Sequence, residues 1–259
     1  MVDPTLAGFA VLTLGAAAGA LVQAVTGFGF AILAAPVFLW VLGSTTAIPI
    51  LVALHVVQSA MLVPGVLAHA PRDELARLGA GALVGAPLGF LALGALEVRQ
   101  LKIAAGLAIL AVAALMAWRR RKPPVRLDTG EDTAHAALGA ASAASVATGA
   151  ASGALTALLV MPGPPLMVHL MRRPILPETA RALSLTFFGA CYVGVLAMSL
   201  AAGQLAARDI MLVALLSAPV ALATVAGRRL GPRLLGRHFV AVLNVLLVLA
   251  GLGALASAL

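Results

Sequence analysis

Charge, aromatic rings and cysteine are all scarce in this chain. Of its 259 residues, 10% are charged and 4% aromatic, and Cys191 is the single cysteine. A soluble domain carries about 25% charged residues, so a soluble globular enzyme is excluded. One cysteine rules out an intramolecular disulfide and any Cys-x-x-Cys metal or redox site. Lying in an apolar run, Cys191 reads as a small core residue. Carboxylates are missing where a cation carrier needs them: Asp3, Asp73, Glu74, Glu97, Asp128, Glu131, Asp132, Glu178 and Asp209 all fall at the ends of apolar runs or between them. Cation pumps and proton-coupled drug exporters keep a carboxylate within a span to hold the ion or proton. No His/Cys/Asp/Glu cluster has metal-ligand spacing, and no Ser lies in a familiar local frame with a His and an acid. Neither a cofactor nor a catalytic residue is expected.

Apolar sequence is what the chain has in quantity, at 62% of all residues. It comes mostly in runs of about 20, each enough to cross a ~30 Å hydrocarbon core as a helix. The runs cover 6–25, a short 31–42 containing Pro36, 47–67, 78–96 and 103–118, then 134–155, a short 158–171, 182–202, 210–226 and 239–259. The fold class is therefore an all-α polytopic membrane protein of eight to ten helical segments in a lipid bilayer. The net charge of +8 does not point to nucleic acid, because Lys and Arg sit almost wholly at span ends, where they orient helices. The opening MVDPTLAGFAVLTLG lacks the basic region of a signal peptide, so the first run is expected to stay in the mature protein.

The polar stretch RRRKPPVRLDTGEDTAH marks a midpoint. It divides the chain into a first transmembrane repeat (1–118), a basic linker (119–133) and a second repeat (134–259). Each half reads as a long Gly/Ala-rich helix, a short segment broken by Pro and Gly, and three ordinary spans. Gly27 precedes Pro36 as Gly153 precedes Pro162, and Arg72-Asp73 reappears as Arg208-Asp209. This is the punctuation of an internal repeat. With the linker cytoplasmic and the N-terminus outside, 14 Lys and Arg lie inside, against only Arg99, Lys102 and Arg208 outside. That asymmetry satisfies the positive-inside rule. Five elements per half then make the repeats inverted, whether the short segments cross fully or fold back as hairpins.

Within the spans the polar groups are neutral. Gln23, Thr26, Gly27, Phe28, Gly29 and Pro36 surround the first break, with His55 and Gln58 in the third run. Ser152, Gly153, Thr156, Pro162 and Gly163 surround the second. A broken helix leaves unpaired N–H groups at a new N-terminus, and in hydrocarbon these survive only against protein or a wet cavity. Two such breaks near the midplane present two positive dipole ends, which attract an anion without a buried arginine. Blander readings stand beside this one. Gly15/Gly19, Gly81/Gly85/Gly89 and Gly149/Gly153 have the spacing of close helix packing. Pro49, Pro64, Pro87 and Pro219 read as kinks. His55 reads equally as a proton carrier, an anion contact or a neutral histidine bonded to a carbonyl. His169, beside Arg172, reads as interfacial, and Gln58 as a polar link between helices.

The stretch GALVQAVTGFGFAILAAPVFLWVLG resembles the first-repeat signature of the TauE/SafE sulfite exporter family, a Gly/aromatic turn leading into a short segment with a central proline. TGAASGALTALLVMPGPPLMVHLM is similar to the second signature, except that Met161-Pro162-Gly163-Pro164-Pro165 stands where many members carry a run of glycines. The resemblance implies a secondary transporter in the bacterial inner membrane that moves a small sulfur-containing anion such as sulfite or a sulfonate. Alternating access between inverted repeats is the expected mode, with a coupling proton and a homodimer as further expected partners. The alternatives are an anion channel using the same site, and a membrane-embedded enzyme or assembly partner that does not transport.

Overall fold

The computed structural model describes residues 6–119, 131–171, 173, 175–234 and 237–258. These form ten α-helices, and no strand occurs among the described residues. They are α1 (Leu6–Thr26), α2 (Phe30–Leu42), α3 (Ala47–Leu62), α4 (Arg72–Leu93), α5 (Val98–Arg119), α6 (Glu131–Leu159), α7 (Gly163–Met171), α8 (Pro177–Ala201), α9 (Ala207–Leu234) and α10 (Arg237–Ala256). Two short 3-10 turns join α3 to α4. Most of the predicted linker, residues 120–130, lies outside the described residues, as does Arg172.

Seven helices are long and apolar enough to cross a bilayer. α2 and α7, at 13 and 9 residues, are not: at 1.5 Å per residue they reach only about 20 and 14 Å. Several helices outrun their apolar stretches. α4 begins at Arg72 rather than 78, and α8 at Pro177 rather than 182. Hydropathy marks only the part of a helix inside lipid, whereas a first turn carrying Asp73 and Glu74 is favoured by the helix dipole.

α1 and α2 form a helical hairpin. Gly15 faces Val37, Gly19 faces Phe30 and Gly29 faces Val22, the order of two antiparallel helices. The other main packings join the halves. α4 runs parallel to α6 along a seam of small residues: a methyl group on Gly81 or Gly85 would strike the carbonyl oxygens of Val146 and Ala150, and one on Gly149 that of Leu78. Lipid offers no hydrophobic drive for helices to associate, so dispersion contacts of this closeness hold them together. α1 likewise runs parallel to α9, where Gly227 meets Leu21 and Ala24. α3 packs on α8 and α5 on α10. The buried core concentrates on α1, α2, α3 and α8, leaving the outer helices to present Leu and Val to lipid.

Candidate functional site

Each hairpin-like unit is interrupted by three residues, Gly27-Phe28-Gly29 between α1 and α2 and Val160-Met161-Pro162 between α6 and α7. Both breaks open onto one narrow cleft, lined also by Gln23, Ala31, Ile32, Val112, Gly163, Pro164, Met167, Phe188 and Tyr192. Phe188 lies at the middle of α8 and Tyr192 one turn further on, and Val112 lies a little past the middle of α5. The cleft is thus near half depth in two of the spanning helices.

The first break is made by glycine and secured by polar side chains. Gly27 and Gly29 have φ of +88° and +112°, a left-handed backbone that costs glycine nothing. Thr26 Oγ1 lies 2.8 Å from the Val22 carbonyl and 2.5 Å from that of Phe28, and it accepts the Phe28 N–H at 3.3 Å. Its single proton is spent within the turn. Gln23 Oε1 accepts the Phe30 N–H at 3.2 Å and so caps α2. The Gln23 Nε2 is buried with no partner, on a side chain that lines the cleft. The N–H groups of Ala31 and Ile32, also on the cleft wall, belong to the first turn and have no acceptor within the helix.

The second break reaches the same shape by strain. Val160 has φ of +60°, a conformation that costs a β-branched residue about 1–3 kcal/mol. Its N–H donates to the Thr156 carbonyl at 2.9 Å, and the Met161 N–H to that of Leu155 at 3.2 Å. α7 then starts Gly163-Pro164-Pro165. Proline has no N–H, so Gly163 alone offers an amide in these three positions. The dipole of α7 faces the cleft, but its hydrogen-bonding capacity is mostly deleted. An anion held here would be bonded chiefly from the α2 side.

Of the predicted site residues, Gln23, Phe28, Gly29, Pro162 and Gly163 line the cleft. The others stand behind it or away from it. Thr26 and Gly27 form the turn, and Pro36 lies inside α2. Gln58 Nε2 donates to the Ala20 carbonyl at 2.7 Å and to Thr224 Oγ1 at 3.2 Å, which links α3 to α1 and α9. Gly153 packs on Ala82 and Ala86 of α4. Thr156 Oγ1 donates to the Ser152 carbonyl at 2.7 Å, and Ser152 Oγ is buried without a partner. His55 is fully buried, with its ring 4.1 Å from Phe30 and 4.3 Å from Tyr192. Its Nδ1 bonds the Leu51 carbonyl at 2.7 Å, which fixes the proton on that nitrogen and leaves Nε2 partnerless. Val160, Phe188 and Tyr192 also line the cleft, although no motif along the chain marks them. The one available signal was that Tyr192 is the chain's single tyrosine and stands in an apolar run.

The residue that follows α1 is Gly27 and the residue that follows α6 is Val160, each with a left-handed backbone. Gly153 lies inside α6, seven residues before that second break.

A second polar cluster lies where α4, α6 and α7 meet. Glu74 Oε1 accepts from Ser145 Oγ at 2.7 Å and lies 2.8 Å from His169 Nε2. Arg173 Nη1 is 2.9 Å from Glu74 Oε2, and Arg77 Nη1 is 3.8 Å away. Glu74 is 7% exposed and His169 8%. His169 and Glu74, although both at helix ends, are thus enclosed by protein. An enclosed carboxylate is tolerable because its lone pairs are answered by charged and hydroxyl donors.

Ten packed helices among the described residues, seven of them able to span, with both helix breaks lining a cleft enclosed by protein, define a multi-pass membrane protein. The chain matches the family model "Sulfite exporter TauE/SafE" over residues 11–254 and belongs to that family, which places it among transporters of anions across membranes. Comparison with curated proteins and with solved structures gives no match.

Proposed function

We propose that the protein is a secondary transporter that binds a small sulfur-containing anion, of the sulfite or sulfonate kind, in the cleft between the two breaks. The observation that carries this reading is the convergence of the α2 and α7 N-termini on one cleft, beside a buried Gln23 amide with no partner. Positive dipole ends and spare N–H donors suit an oxyanion and repel a cation. In this reading transport proceeds by alternating access between two inverted halves, 1–118 and 134–259, in a bacterial inner membrane with the linker cytoplasmic. Support comes from the packing pattern: exchanging α1–α5 for α6–α10 turns the α4·α6 contact into α9·α1 and the α3·α9 contact into α8·α4. Further, α3 ends beside Arg228 at the α1 end that α4 and α6 start from, so α6 runs opposite to α1. His55 couples a proton through its unpartnered Nε2, next to the first residue of α2.

Purified protein in proteoliposomes should take up sulfite saturably, with sulfoacetate and taurine tested as competitors. Uptake no faster than in empty liposomes, with none of the three anions moved, would overturn the reading. His55→Gln should flatten the pH dependence of flux; an unaltered pH profile would remove His55 from coupling.

A further inference from the structure

The hairpin tip of α1 and α2 carries a cation that no carboxylate answers. Arg181, near the start of α8, lies half-buried against Gly27: a methyl group on that glycine would sit 3.0 Å from Arg181 Cγ. One guanidinium nitrogen donates to the Ala24 carbonyl at the end of α1, and Nε is buried without a partner. A second guanidinium stands close by. Arg228, on α9, follows Gly227, which packs on Ala24, and it is the charged neighbour that acts on Arg181. Its Nη1 donates to the Met61 carbonyl at 3.1 Å. Glu178, one turn before Arg181, is turned to His69 at 3.9 Å. Among the described residues neither Arg181 nor Arg228 is in an ion pair.

Two neighbouring guanidiniums repel each other, and at a hydrocarbon boundary the cost rises because water screens them less. Structural capping of α1 explains one hydrogen bond of Arg181. It explains neither the second cation nor the idle Nε. A small oxyanion between the two would relieve the repulsion and accept from both forks. We propose that Arg181 and Arg228 form a loading subsite for a small oxyanion at the tip of the α1–α2 hairpin, on the face where α8 begins. Gly27 touches Arg181, and the next two residues, Phe28 and Gly29, line the cleft. An anion captured at the tip is therefore one turn of chain away from the cleft, with Phe28 between. By the exchange of halves, the position facing Val160 falls at the start of α3, where the sequence Ala47-Ile48-Pro49-Ile50-Leu51 offers no cation. The subsite belongs to one face only.

The inference rests on the anion-transport reading, and sided flux measurements separate the two. In vesicles of either orientation, half-saturation for sulfite is measured from each face for the wild type, Arg228→Gln, Arg181→Gln and Arg181→Lys. Arg228→Gln, at an exposed position, should raise the half-saturating sulfite concentration about tenfold from the Arg181 face, the loss expected for one charge-assisted contact. The maximal rate and half-saturation from the other face should stay unchanged. Arg181→Gln should do the same or more, and Arg181→Lys should recover part of the affinity. Added chloride should weaken wild-type loading and leave Arg228→Gln less affected. No sulfite flux in the wild type would sink the transport reading itself. Normal wild-type flux with unchanged half-saturation in Arg228→Gln, or equal losses from both faces, would overturn the subsite alone.

Discussion

The two breaks reverse the chain in the same number of residues with opposite chemistry. At Gly27-Phe28-Gly29 the left-handed backbone is free of steric cost, and Thr26 and Gln23 accept the N–H groups of Phe28 and Phe30, leaving those of Ala31 and Ile32 to the cleft. At Val160-Met161-Pro162 the same geometry is imposed on a buried β-branched residue, and the following prolines delete donors instead of satisfying them. A polar group in a membrane interior can be bonded or it can be absent, and the two halves use one solution each. The consequence is an asymmetric cleft in which hydrogen bonding comes from the first half and little but dipole from the second.

Matched substitutions can break this comparison, and the largest contrast is at the left-handed residues themselves. Gly27→Val adds backbone strain and a collision with Arg181, and should destabilise by roughly 3 kcal/mol. Val160→Gly trades relief of strain against the loss of a buried side chain and should change stability by less than about 1 kcal/mol. Thermal unfolding in detergent measures both. Equal losses would mean that Val160 is not strained.

Next in size is the position eight residues earlier. A methyl group on Gly19 would sit 2.6 Å from the Phe30 carbonyl oxygen, so Gly19→Ala should force α2 off α1 and cost about 1–3 kcal/mol. Ser152, eight residues before Val160, holds a hydroxyl that bonds nothing. Ser152→Ala should be neutral or slightly stabilising, because it removes an unsatisfied buried group. If Ser152→Ala instead lowers sulfite affinity with an unchanged melting temperature, the second half contributes a donor after all.

The clearest functional contrast should come from Gln23 and Thr156, which precede the left-handed residues by one turn. Gln23→Leu removes the cap on α2 and the spare amide, with a cost of about 1 kcal/mol in stability and roughly tenfold in sulfite affinity. Thr156→Val, losing bonds to Ser152 of its own helix and to Cys191 of α8 but none to the cleft, should leave affinity within about twofold. Comparable affinity losses in both would make the cleft symmetric in its chemistry.

Much of this was legible along the chain. The apolar runs gave the spans, and Pro and Gly gave the existence of both breaks. What the sequence left open were features that depend on which helix lies opposite. Gly153 stood both beside the second break and in a close-packing pair with Gly149, and it packs against Ala82 and Ala86 of α4. His169 had no partner in view along the chain and meets Glu74, almost a hundred positions away. Val160 gave no warning at all, since propensity assigns β-branched residues to regular structure, and only a surrounding protein can hold one at positive φ.

By itself, then, the sequence determined the solvent and the helices, because scarcity of charge and the length of apolar runs act locally and leave a bilayer-spanning chain few choices. It also determined that two helices would be broken. Tertiary structure alone decided that the two breaks meet across one cleft, that α4 lies on α6 closely enough to demand glycine, and that Arg181 comes to rest on Gly27. Those are contacts between distant segments, set by the fit of small residues across helices, and no local pattern along one helix encodes the identity of its neighbour.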